Sequence, residues 1–152
     1  MARSTAGITV KYIPETVAGT RPTTGTTTEI IGITDIPSID LKRSDLECTE
    51  LKETIAKQYT RGLADPGGAI GMTANHDDTN NAVWDAFVTA AEALTGGKQM
   101  WIEIYYPDET DAFWMRGLPQ ARGFGGASPD SVAETTYYFT PSQVVGYAAK
   151  LA

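Results

Sequence analysis

The chain's one histidine stands beside two acids, in His76-Asp77-Asp78. An imidazole with carboxylates can hold a divalent metal, or supply a base with an orienting partner. The spacing argues against both. Three contiguous side chains at a strand-to-helix junction diverge, whereas metal ligands come from separate elements or from i,i+4 positions. A plainer use is helix capping: a carboxylate meets the unpaired N–H groups and the positive end of the helix dipole. The sequence therefore predicts no metal and no cofactor here, with His76 capping or decorating the junction.

The other chemical candidates are weaker. Cys48, the single cysteine, lies between Asp45, Glu47 and Glu50, acids that disfavour a thiolate and so oppose nucleophilic activation. A lone cysteine also excludes an intramolecular disulfide and suits synthesis in a reducing cytoplasm. "RGFGGAS" (122–128) has the glycine content of a phosphate loop but lacks its Lys-Ser/Thr and is followed by no helical pattern. It reads as a turn between strands. Trp101, Trp114, Tyr105 and Tyr106 offer a sugar platform, but aromatic pairs on neighbouring strands read first as sheet packing. No catalytic set assembles, and the chain reads as a non-enzyme.

The elements that would position these residues follow from the patterning. The chain has 152 residues, 41% of them apolar, which fits one domain with its own core. No apolar run approaches the roughly 20 residues of a membrane span, and the N-terminus lacks the apolar region of a secretory signal. Net charge is −7 and uneven: residues 1–65 carry eight Lys/Arg against nine Asp/Glu, residues 66–152 four against ten. An acidic half repels phosphates, so it does not grip nucleic acid, although a duplex can pass without being held.

Residues 16–28 hold seven threonines with Gly and Pro and no apolar period, which predicts an N-terminal arm over 1–27, with "GITVKYIP" extended only if paired. The rest, 28–152, reads as a single β-rich domain. Residues 28–51 suggest two strands around Pro37, and 69–76, 98–106, 111–118 and 131–140 suggest further strands. Between them, 52–66 is a long excursion of mixed charge, of the kind that carries function or partners. A short surface helix is the competing assignment, with Ile55, Tyr59 and Leu63 at i, i+4 and i+8. The clearest element is a helix over 79–95, capped by Asp78 or Thr79 and ended by Gly96-Gly97. Val83, Trp84, Phe87, Val88, Ala91 and Leu94 form its apolar stripe. The sum is a mainly β fold, sandwich or barrel-like antiparallel sheets with one packed helix.

The order of these pieces resembles the major tail tube protein of long, non-contractile-tailed phages. A Thr/Gly-rich arm leads to the strand pair "EIIGITDIPSIDLKRSDLECT". A charged excursion then closes on "GLADPGGAIGMTANHD", and the helix precedes "MWIEIYYPD…AFWMRGLPQARGFGGASPDSVAETTYYFTPS". The likeness covers about residues 20–147. Each motif is loose, and specificity lies in their order and spacing. "IDLKRSDLECTEL" departs from strict strand alternation.

That resemblance implies a virion subunit, made in the host bacterial cytoplasm, that forms hexameric rings stacking into a tail tube. DNA passes through the lumen, unbound, during ejection. The implied partners are further copies of the chain, the tape measure, the tail terminator and the baseplate or tip, with no membrane. The excursion and the arm would touch neighbouring subunits, through Ile55, Tyr59, Arg61 and Leu63. If Met100, Ile102 and Ile104 face the core, alternation turns Glu103 to the opposite face, and Glu134 likewise on its own strand. These two are the candidate lumen-facing acids. Two other readings stay open: a tail terminator or head–tail connector ring, and a small metal-binding β-rich enzyme or ligand-binding module using His76, Asp77 and Asp78.

Overall fold

The two edges of the main sheet are consecutive in the chain, and that fixes the architecture. The computed structural model describes residue 4 and residues 6–41, 43–50, 56–64 and 68–151. Its elements are β1 (Thr9–Pro14), β2 (Thr28–Ile30), β3 (Ile33–Asp35), β4 (Arg43–Glu47), β5 (Tyr59–Ala64), β6 (Ile70–Asn75), α1 (Asp78–Glu92), β7 (Met100–Tyr105), β8 (Asp111–Pro119) and β9 (Glu134–Ala149). Seven strands form one antiparallel sheet in the order β2-β1-β7-β8-β9-β6-β3. Only residues 31 and 32 separate β2 from β3, a link that spans roughly 10 Å at full stretch. The sheet must therefore curl until its edges nearly meet, giving a nearly closed, barrel-like wall.

Gly32 makes that closure possible. Its φ is +80°, and a Cβ there would collide with the Asn80 side chain at the start of the helix. Its carbonyl accepts from Asn75 N–H at 3.1 Å, tying the link to the end of β6.

The inner face alternates as a half-buried sheet should. Val10 and Tyr12, Met100 and Ile102, Tyr137 and Phe139, and Met72 and Ala74 all point inward and are buried. The helix α1 supplies Trp84, Phe87 and Ala91 to the same cluster, with Val88 and Leu94 half-buried against it. Trp84 stacks on Tyr137 at 4.7 Å and on Phe87 at 5.1 Å, and Phe87 meets Tyr12 at 4.1 Å. Burial of each such side chain is worth about 1.5–3 kcal/mol. The helix starts because the Asp77 carboxylate accepts from Thr79 N–H at 3.1 Å. It ends at Glu92, three residues before the expected limit, and Gly96 and Gly97 follow with left-handed φ of 71° and 77°.

Several boundaries differ from the sequence reading. Residues 9–14, placed in an arm, form a strand paired on both sides, with β2 and with β7. Val10 and Tyr12 gain core burial there, which outweighs the cost of ordering a chain segment next to a Thr-rich stretch. Residues 28–51 form three short strands, because the chain first breaks at Gly32 rather than at Pro37. The last strand runs on from 140 to 149. Pro141, just past the expected limit of 140, does not stop it, because it stands opposite Gly117 beside a register shift, a site where a missing N–H is tolerated.

The excursion is also not a helix where it is described. Residues 59–64 are a strand, β5, antiparallel to β4 in a separate two-stranded sheet. Residues 52–55 and 65–66, and with them Ile55, lie outside the described residues.

Candidate functional site

The residues proposed for chemistry are spent on structure. His76 is exposed; its Nδ1 lies 2.9 Å from Thr135 Oγ1, and its N–H donates to Ala133 O at 2.9 Å. Asp77 caps the helix, and Asp78 begins it. Among the described residues no group of three His, Cys, Asp or Glu side chains is placed to hold a metal ion. Cys48 is exposed, and its N–H bonds Gln58 O across the β4–β5 pair. Trp101 and Trp114 meet edge to face at 6.2 Å but are buried to 1% and 0% exposure, so they present no platform.

Glu103 corrects the expectation of an open acidic face. It does lie on the face opposite Ile102, but it is fully buried. The second face of the sheet carries its own apolar cluster of Ile13, Trp101, Tyr105, Ala112 and Trp114, with Ala148 and Leu151 against it. Arg21 lies over the Trp114 ring at 5.2 Å and donates to Ala149 O at 3.3 Å. Leu151 N–H donates to Glu103 Oε2 at 3.1 Å. The segment after β1 and the chain's last residues thus cover what alternation alone left to solvent. Glu134, by contrast, is exposed, at the start of β9 opposite Asn75.

The electrostatic centre of that second face is a residue pair that no local pattern joins. Glu15 is buried beneath Arg116, which donates from Nη2 at 2.8 Å and from Nε at 3.1 Å. Trp101 Nε1 donates to the same carboxylate at 2.8 Å, and Gln99 N–H at 2.7 Å. Burial pushes the Glu15 carboxyl up, but the bonds from Arg116, Trp101, Gln99 and Gly19 outweigh it and hold it at about 2. On the inner face, Tyr137 donates to Asn81 at 3.0 Å, and burial pushes its phenol up.

What remains at the surface is suited to contact. The β4–β5 hairpin pairs with no strand of the main sheet and exposes Leu46 and Tyr59 to 52% and 58%. Arg61 is exposed on the same strand, which also carries Leu63. The loop 120–133 is fixed at its base by the fork of Arg122 on Asp85, at 2.9 and 3.2 Å. Beyond it, Phe124 and Val132 stand out into solvent. At the far end of the barrel an open groove of about 520 Å³ is lined by Ile36, Ile39, Ile104, Phe113 and Tyr147. The helix residues Val83 and Val88 are half-buried.

No protein-family model matches the chain, and no curated protein sequence is detectably similar to it. Among solved structures, it is similar to a chain of the "Cryo-EM structure of the anti-feeding prophage (AFP) baseplate, 6-fold symmetrised". The TM-score is 0.63 and the identity 11%, over 99% of each chain. At that identity the likeness defines the fold: a mainly β, nearly closed antiparallel sheet with one helix, shared from end to end.

Proposed function

We propose that this chain is a structural subunit of a phage-type tail, forming sixfold rings that stack into a hollow tube through which DNA passes. The observation that carries this reading is the end-to-end likeness of fold to a chain of an assembly solved with sixfold symmetry. The surfaces support it. An isolated two-stranded hairpin is marginal in water, and this one, paired with no strand of the barrel's sheet, exposes Leu46, Tyr59 and Arg61. A neighbouring subunit is the partner that would cover it.

Glu134 is the acid that this reading places along the bore. Six copies per ring, repeated along a tube with low-dielectric walls, focus a negative field that keeps phosphates moving. Glu103 has no such role, being fully buried. The remaining partners are those of a tail: the tape measure, the terminator and the baseplate or tip.

A second reading is favoured by the printed description of the similar structure, which is a baseplate. In that case the chain forms a single ring at the tube's end, as a terminator or connector does at the other. Negative-stain images of concentrated protein separate the two. Long stacks support the tube, single sixfold rings support the end ring, and particles without rings contradict both.

A further inference from the structure

The geometry points to the contact that joins one ring to the next: Phe124 of one copy seats in the apolar groove at the far end of another. This rests on the ring-and-stack reading above and names the residues that would carry it.

The loop 120–133 follows β8 and precedes β9, whereas the groove lies where β8 begins and β9 ends, lined there by the paired Phe113 and Tyr147. The two features therefore occupy opposite ends of one strand pair. From Asp111 to Pro119 that pair spans roughly 25–30 Å at about 3.3 Å per residue. A knob and a groove at opposite ends of a molecule make a heterologous contact. When it repeats by translation along the strands it builds an open line of copies, not a closed ring.

The knob has features its own fold does not require. Phe124 is 89% exposed. Gly123 precedes it and Gly126 lies two residues after it, neither left-handed, and nothing lies within 4 Å of where their Cβ atoms would sit. Gly125 differs, since a Cβ there would strike the Glu134 carbonyl. The two unrequired glycines leave a slender finger with an aromatic tip, held at its base by the Arg122–Asp85 fork.

The groove matches it in chemistry. Ile36, Ile39, Ile104 and Phe113 are half-buried members of the main core that surface there, and Tyr147, 67% exposed, meets Phe113 edge to face at 5.5 Å. Its volume, about 520 Å³, lies within the roughly 300–1,000 Å³ of pockets that enclose compact apolar groups. The aromatic tip and the apolar floor are the complementary pair.

The test replaces the single cysteine (C48S) and introduces F124C and Y147C, separately and together. Assembled protein is then treated with a short bismaleimide. The inference predicts a covalent ladder from the double variant, and dimers from mixed single variants but from neither alone. It also predicts that F124S forms rings but no stacks. Stacks from wild-type protein with no ladder, or normal stacking by F124S, overturn this contact and leave the ring reading standing. Failure of wild-type protein to form rings removes both.

Discussion

Arg116 holds Glu15 with two nitrogens, 101 residues away in sequence, and so ties the end of β1 to the middle of β8. The pair lies on the face of the sheet away from the helix, with the Glu15 side chain wholly enclosed. Breaking a buried pair from one side leaves the other charge without compensation, which costs about 3–5 kcal/mol. The Arg116→Ala variant should show a loss of that size by denaturant titration.

The same carboxylate sets an acid limit. Its folded value, about 2, lies below the ordinary 4.5, so its stabilisation is complete above pH 4.5 and is lost as pH falls toward 2. The gap corresponds to a contribution on the order of 3 kcal/mol. Glu15→Gln should flatten the stability profile between these values while lowering stability at neutral pH. A profile as steep as wild type would place the acid sensitivity elsewhere.

Phe87 is fully buried where α1 meets Tyr12, Trp84 and Phe139. Its replacement by alanine should cost about 3–5 kcal/mol, a large share of a small domain's stability. A melting temperature equal to wild type would show that the helix is not seated on the barrel in solution.

Barrel closure depends on Gly32, so Gly32→Ala meets two penalties: a left-handed φ and the Asn80 side chain. The expected loss is about 1–3 kcal/mol. Adding Asn80→Ala should recover part of it by removing the steric component. If the single variant is as stable as wild type, the link between β2 and β3 takes a different path.

How far the sequence disclosed this depends on the range over which each signal acts. Helix α1 was legible because its acidic start, stripe and glycine stop are all local, although the cap is Asp77 rather than Asp78 or Thr79, since in a run of acids the one that takes the cap depends on where the strand before it ends. The inward alternation of Met100 and Ile102 was legible for the same reason. What covers the opposite face was not. Glu103 looked like an outward acid because period two says which face a residue takes, but not whether the segment after β1 and residue 151 will lie over that face. Glu15 and Arg116 carry no mutual signal at a separation of 101 residues. Strand β1 was obscured by the Thr/Gly-rich stretch behind it, and one of its two partners, β7, lies some 90 residues on. The excursion's i, i+4, i+8 spacing fitted a helix, but antiparallel pairing with β4 takes residues 59–64 instead.

That hairpin gives a further prediction. No strand of the main sheet pairs with β4 or β5, so replacing residues 42–65 with a flexible Gly/Ser linker should leave the barrel folded. Circular dichroism and melting should change little, while ring or stack formation is lost. Assembly at the wild-type level in this variant would remove the hairpin from the subunit contacts.

The central claim is that this chain builds sixfold rings. Cryo-electron microscopy of the purified protein across a concentration series tests it most directly. The account predicts end-on views with sixfold symmetry and an open centre, which become stacked side views as concentration rises. Particles that stay monomeric at every concentration, or that close with another symmetry, would contradict it.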